Sequence, residues 1–196
     1  MIKKILVSLL LLIMACVLLS ACSVNHFVAK DYPDYLQNNI GRITGIELNR
    51  QAAYTISENT FAHRVEFRSF RAGNRHLWIV EFGKILDMTL KSADYSSLFT
   101  PNNASELKVN FDLQRYEFKN FQAYLTLKID VVDGETNVLS KSYNAVGKNQ
   151  AAKVIFTRSL GMKNAIQQST KLAIDELLSE FCKDLKIKNI AIVQSI

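Results

Sequence analysis

Cysteine, histidine, proline and glycine are all scarce in this chain of 196 residues, with three, three, two and seven copies. Three Cys rule out a disulfide framework and, beside only three His, argue against a four-ligand structural zinc site. Two Pro and seven Gly exclude a collagen-like repeat, a Pro-rich scaffold and a disordered linker protein. The phosphate-cradling loops G-x-G-x-x-G and G-x-x-x-x-G-K-[ST] are missing, as is the nucleophile elbow G-x-S-x-G. No stripe of Lys and Arg with interleaved aromatics marks a nucleic-acid surface. The length suits one domain, and no catalytic motif surfaces in it.

What is there begins with an address. Met1-Ile2-Lys3-Lys4 is a short cationic start, and Ile5 to Leu19 are fifteen residues of which only Ser8 is polar. That is the layout of a secretory signal, and the run is short of the ~20 apolar residues a membrane-spanning helix needs. It ends in Leu19-Ser20-Ala21-Cys22, which resembles the lipobox of bacterial lipoproteins. The resemblance implies diacylation of the Cys22 thiol, cleavage after Ala21 and acylation of the new amine. Cys16 sits too early for this role and reads as part of the apolar run. One acyl chain holds a protein weakly, whereas two or three anchor it stably. Ser23, where an Asp would favour the inner membrane, points to the outer membrane. The expected organisation is a cleaved signal over 1–21, a lipidated tether over 22–40 and a periplasm-facing domain over 41–196. Loss of Lys3 and Lys4 lowers the formal charge from +6 to +4. Processing would leave Cys182 as the lone free thiol. It lies beside Phe181 in an apolar helical run and reads as a small buried hydrophobe.

Residues 23–40 are polar and lack periodicity, hence the tether. Arg42 to Leu48 suggest a first strand, and Phe61 to Phe70 a second, with Val65 and Phe67 on one face and Arg64, Glu66 and Arg68 on the other. Ala72 to Arg75 read as a turn, and His76 to Phe82 as an apolar run holding the one Trp, Trp78. Ile85, Leu86, Leu90, Ala93 and Leu98 suit a helix from Gly83 to Phe99. Leu107, Val109, Phe111 and Leu113 alternate with polar residues, and then the phase slips to Tyr116 and Phe118. A one-residue slip turns side chains to the wrong face unless a bulge absorbs it, so a bulge is expected near Gln114–Arg115. Lys119-Asn120 and Asp133 to Thr136 are the turns of an antiparallel meander whose other strands run from Phe121 to Val131 and from Val138 to Val146. A long helix follows from Ala151 or Leu160 to Leu185, with Met162, Ile166, Ala173, Leu177 and Phe181 as its stripe. Lys183, Lys186 and Lys188 suit its C-terminal dipole, and Ile190 to Val193 form a last strand or a tail. The fold class is α+β: an antiparallel sheet with two helices packed on one face, in a single domain.

Few residues are candidates for chemistry. His63 and His76 flank an expected hairpin and, facing one another with Glu66 and Glu81 nearby, would be the material of a metal site; chance pairing of surface histidines is the plainer reading. Asp130, Asp133 and Glu135 lack calcium-loop spacing and read as a turn at a strand end. Trp78, Phe61, Phe67 and Phe82 read as core. Gly41-x-x-x-Gly45 lies outside any long apolar segment, a poor helix-dimer signal. Neither a catalytic residue nor a cofactor is expected.

The order of features resembles the ABC-type transport auxiliary lipoproteins, PqiC-like, with the YajG-type envelope lipoproteins as relatives. The resemblance is carried by the lipobox Cys22, by Tyr35-Leu36, by the apolar segment around Trp78 leading to Ile85, Leu86 and Leu90, and by the runs Leu107 to Phe111, Ala123 to Leu127 and Leu139 to Tyr143 before the long C-terminal helix with Ala165 and Ala173. It implies a non-catalytic outer-membrane lipoprotein facing the periplasm. Such a protein assists an importer-type ATPase system with MCE-type partners in moving phospholipid or another hydrophobic molecule between membranes. Two other readings remain: an assembly or structural lipoprotein of an outer-membrane or secretion machine, and, from a different class, a metal-dependent hydrolase built on His63 and His76.

Overall fold

The computed structural model describes residues 23–39, 50–71, 74–101 and 105–187. The expected strand over 42–48, the Gly41/Gly45 pair, Lys188 and the segment 190–193 lie outside them, as do Leu19, Ser20, Ala21 and Cys22.

The meander is where alternation wrote the structure most directly. Strands β6 (Leu107–Lys119), β7 (Gln122–Asp133) and β8 (Thr136–Val146) pair antiparallel, with Leu107 opposite Asp133 and Lys119 opposite Gln122. Leu107, Val109 and Phe111 face the core, joined by Ala123, Leu125, Leu127, Ile129 and Val131 from β7. The register shifts between Leu113 and Arg115, the bulge that the slip in phase required. Beyond it Tyr116 is buried on the inner face again. The β6–β7 turn is one residue later than expected. Asn120 and Phe121 both take positive φ (51° and 59°), so Phe121 belongs to the loop and not to the alternation. Two further strands extend the sheet to β5-β2-β6-β7-β8: β2 (Ala52–Ile56), parallel to β6, and the two-residue β5 (Phe99–Thr100), parallel to β2.

A second, three-stranded sheet has the order β1-β4-β3, from β1 (Ser23–Phe27), β3 (Arg64–Arg71) and β4 (Asn74–Glu81). The expected tether is corrected here. Ser23 to Phe27 pair in parallel with Arg75 to Ile79, the Val28 N–H donates to the Ile79 carbonyl (2.9 Å), and the helix α1 (Tyr32–Asn38) buries Tyr32 and Leu36. Alternation could not announce β1, because Val24 and Phe27 stay exposed while the buried Val28 follows the strand.

Four helices are described where two were expected, α1 above, the short α2 (Glu58–Ala62), α3 (Phe82–Leu90) and α4 (Ala151–Ile187). The expected strand from Phe61 therefore starts at Arg64, and Phe61 itself is half exposed instead of core. α2 opens at Ser57, whose Oγ accepts from the Thr60 N–H, an N-cap. α3 stops at Leu90 and not at Phe99. Ser92 Oγ donates to the Thr89 carbonyl (2.7 Å) and closes the helix end, and the chain then turns through Tyr95 until the Leu98 carbonyl accepts from the Ala52 N–H (2.9 Å). Tyr95 and Leu98 are buried in that turn, so apolar spacing continued past the point where the helix did.

α4 is the spine of the molecule. Ala165, Ile166, Ala173, Ile174, Leu177, Leu178, Phe181, Cys182 and Leu185 are all buried. Phe181 packs edge-on against Phe111 and Tyr143 and stacks on Phe99, joining three strands to the helix. The meander covers one side of α4, while Gln167 Nε2 donates to the Val28 carbonyl (3.1 Å) on another. The result is a mixed α+β single domain in which helices pack against two sheets, neither of them closed.

Candidate functional site

Cys22 is the residue that the sequence marks most strongly, and the residue that follows it, Ser23, lies opposite Arg75. Ser23 opens a strand paired with β4 along its whole length. The segment that follows is tied down as well. Asp31 forms an ion pair with Lys163 of α4, which holds its carboxyl below the usual range, and the buried Tyr32 hydroxyl is hydrogen-bonded to Thr89 (3.2 Å).

The two histidines singled out by the sequence are not brought together. His63 caps the C-terminal end of α2, beside Arg64, whose cross-strand partner is Glu81. His76 lies opposite Ser69. Five residues of strand, roughly 17 Å at ~3.3 Å each, separate those two rungs. Among the described residues no three or more His, Cys, Asp or Glu side chains are grouped as metal ligands, and His63 and His76 do not converge as the hydrolase reading required. His76 instead meets His26, which the sequence reading passed over: His26 Nε2 and His76 Nδ1 are hydrogen-bonded at 2.8 Å. The His26 ring stacks on Trp78 (centroids 4.1 Å), and Trp78 Nε1 donates to Ser69 Oγ (2.8 Å). Burial, then His76, then Lys163 lower the His26 pKa below 6.5. Parallel pairing of β1 with β4 creates this cluster, and nothing local in the sequence could have shown it.

A second group also escaped the sequence reading. Lys171 of α4 is almost fully buried and its Nζ meets Asp94 Oδ2 (3.0 Å) and Asp175 Oδ2 (2.8 Å). Tyr95 donates to Asp175 Oδ1 (2.7 Å). Burial outweighs Lys171 and Tyr95 and leaves the Asp175 carboxyl above its ordinary pKa. The Lys-x-x-x-Asp spacing on one helix face was the available signal. Just outside, between α1 and the end of α3, lies a cavity of about 390 Å³, its wall formed by Pro33, Leu36, Met88 and Ala93 and its polar groups by Gln37, Lys91, Ser92 and Asp94.

The remaining candidates behave as packing. Trp78 and Phe82 are core, and Phe67 stacks on Phe118 (5.6 Å). Asp130 bonds Lys128 and Asp133 pairs with Arg50. Cys182 is buried and its thiol is pushed up to about 12 by that burial, which removes it as a nucleophile at neutral pH.

No family model and no curated protein matches this chain. Among solved structures it is similar to protein XCC0632 from Xanthomonas campestris, described as DUF330, at 13% identity, over 71% of this chain and 86% of that one, with a TM-score of 0.44. It is also similar to the hypothetical protein CT253 from Chlamydia trachomatis, at 12% identity, over 70% of this chain and 99% of that one, with a TM-score of 0.40. Likenesses this distant carry no argument about activity.

Proposed function

We propose that this protein is a lipid-anchored envelope lipoprotein facing the periplasm from the outer membrane. There it serves as a non-catalytic auxiliary part of an ABC-type, MCE-linked system that moves a phospholipid or other hydrophobic molecule between membranes. The observation that carries the reading is Leu19-Ser20-Ala21-Cys22 standing directly before a folded domain. The order of features that resembles the transport auxiliary lipoproteins supplies the finer part. Among the described residues no helix is long and apolar enough to cross a membrane; in this reading the acyl chains on Cys22 do the anchoring. The corrected tether changes how such a protein works. Eighteen loose residues would have reached up to roughly 60 Å; with β1 starting at Ser23 the domain stays at the bilayer, and a partner must come to that surface.

The test is affinity purification of the tagged, lipidated protein in mild detergent, with mass spectrometry of what accompanies it. Co-purification of an ATPase, its permease and an MCE-type protein is the expected result. Recovery of subunits of an outer-membrane or secretion machine would overturn the transport role and favour an assembly lipoprotein.

A further inference from the structure

Once Cys22 carries acyl chains, the sheet end at which β1 starts is the part of the fold nearest the bilayer, and backbone register fixes which residues share that end. Ser23 lies opposite Arg75. Antiparallel β3 sets Phe70 opposite Arg75 and Arg71 opposite Asn74. Arg68 lies two rungs further in, opposite Leu77, and is exposed. From Phe67 to Val80 the sequence holds Arg68, Arg71 and Arg75 and no Asp or Glu, and β1 has no acidic residue either. The nearest carboxylates along the hairpin, Glu66 and Glu81, sit toward its other end, where Arg64 pairs with Glu66. Three arginine positions thus fall within roughly 15 Å of Ser23, at ~3.3 Å per residue and ~4.8 Å per strand, with no acid between them on the hairpin.

We infer that this arginine-bearing end of the three-stranded sheet is a docking surface for the anionic phospholipid headgroups of the bilayer that holds Cys22. It rests on the lipoprotein reading above and extends it: the acyl chains supply attachment, and the arginines supply orientation. Guanidinium groups suit this work because their planar fork matches phosphate oxygens, and the attraction is confined to about one Debye length, ~8 Å at physiological salt, so only a sheet end held at the surface feels it. With the hairpin seated, the α1–α3 side and the meander are presented in a fixed direction to a partner.

The full-length lipidated protein, reconstituted into phosphatidylcholine vesicles with or without phosphatidylglycerol, tests this. A fluorophore is placed through Asn74→Cys at the hairpin or Glu135→Cys in the β7–β8 turn, the buried Cys182 being unavailable to the reagent. Headgroup spin-labelled lipid is the quencher. Expected are several-fold stronger quenching at position 74 than at 135, its loss when phosphatidylglycerol is omitted or salt is raised, and its loss in the triple variant Arg68→Gln/Arg71→Gln/Arg75→Gln while that variant still floats with the vesicles. Quenching at 74 that ignores phosphatidylglycerol and salt in the unmodified arginine background would overturn the docking surface, without reliance on how the triple variant folds. So would an unquenched position 74 on a protein shown by mass to carry acyl chains. A Cys22 without acyl chains would overturn the lipoprotein reading itself, and mass alone distinguishes that outcome.

Discussion

Lys171 is held among buried residues of α4 and shares its charge between Asp94 and Asp175. Removing the cation leaves two carboxylates facing one another in a dry setting, and breaking a buried pair in this way costs about 3–5 kcal/mol. Lys171→Met is therefore expected to lower the denaturant midpoint strongly. Asp175→Asn should cost less, because burial already opposes that charge and Asp94 keeps the lysine paired. Equal losses in the two variants would contradict this division. His26 gives a pH dependence with a definite sign. Burial, His76 and Lys163 hold its pKa below 6.5 in the fold, so between the folded value and 6.5 the unfolded chain binds a proton that the native state refuses. Its contribution to stability is complete above about pH 6.5 and is lost as pH falls through the folded pKa. Melting curves from about pH 8 to about pH 5 should show a shallower acid-side decline for His26→Gln than for the parent. Parallel slopes would remove His26 as a cause. Beyond the i,i+4 spacing of Lys171 and Asp175, neither group was legible in the sequence. Both are made by long-range pairing, Lys171 with Asp94 and His26 with His76, and periodicity reports only which face a residue occupies.

At the scale of elements, legibility followed how far local pattern and tertiary burial coincide. β6, β7 and β8 bury one face against α4, so the alternation and the bulge could be read directly, and the β6–β7 turn to within one residue. α3 was over-extended because Tyr95 and Leu98 are buried in a turn with helix-like spacing. β1 and α1 were missed because a five-residue strand with two exposed apolar side chains shows no clean period. Close approach of elements adds a constraint that no pattern carries. Gly147, just past β8, donates its N–H to the Ala123 carbonyl (2.8 Å), and a Cβ there would collide with the Ser169 backbone of α4. Gly83 stands likewise against the backbone of Thr60 and Phe61, joining α3 to α2. Overpacking of this kind costs about 1–3 kcal/mol or more. Gly147→Ala is expected to lower the thermal midpoint clearly, whereas Ala at exposed Asn164 on α4 should leave it nearly unchanged. A neutral Gly147→Ala would mean that β8 and α4 can move apart without loss.

For the whole molecule, the proposed address rests on consecutive residues, Leu19 to Cys22, whereas the proposed docking surface is assembled from strands distant in sequence. Replacement of Cys22 by Ala should abolish acylation and with it lipid-dependent membrane attachment, while the melting curve stays close to that of the lipidated form, since the buried side chains at this end, Val28, Tyr32 and Leu36, all come after Ser23. Loss of folding in that variant would mean that the anchor is part of the domain's stability. The most direct test of the central claim is the mass of the N-terminal peptide of the protein purified from membranes. The account predicts a chain beginning at Cys22 with a diacylglyceryl group on its sulfur and, after full processing, a third acyl chain on its amine. An N-terminus at Met1, or a chain beginning elsewhere with an unmodified Cys22, would contradict it.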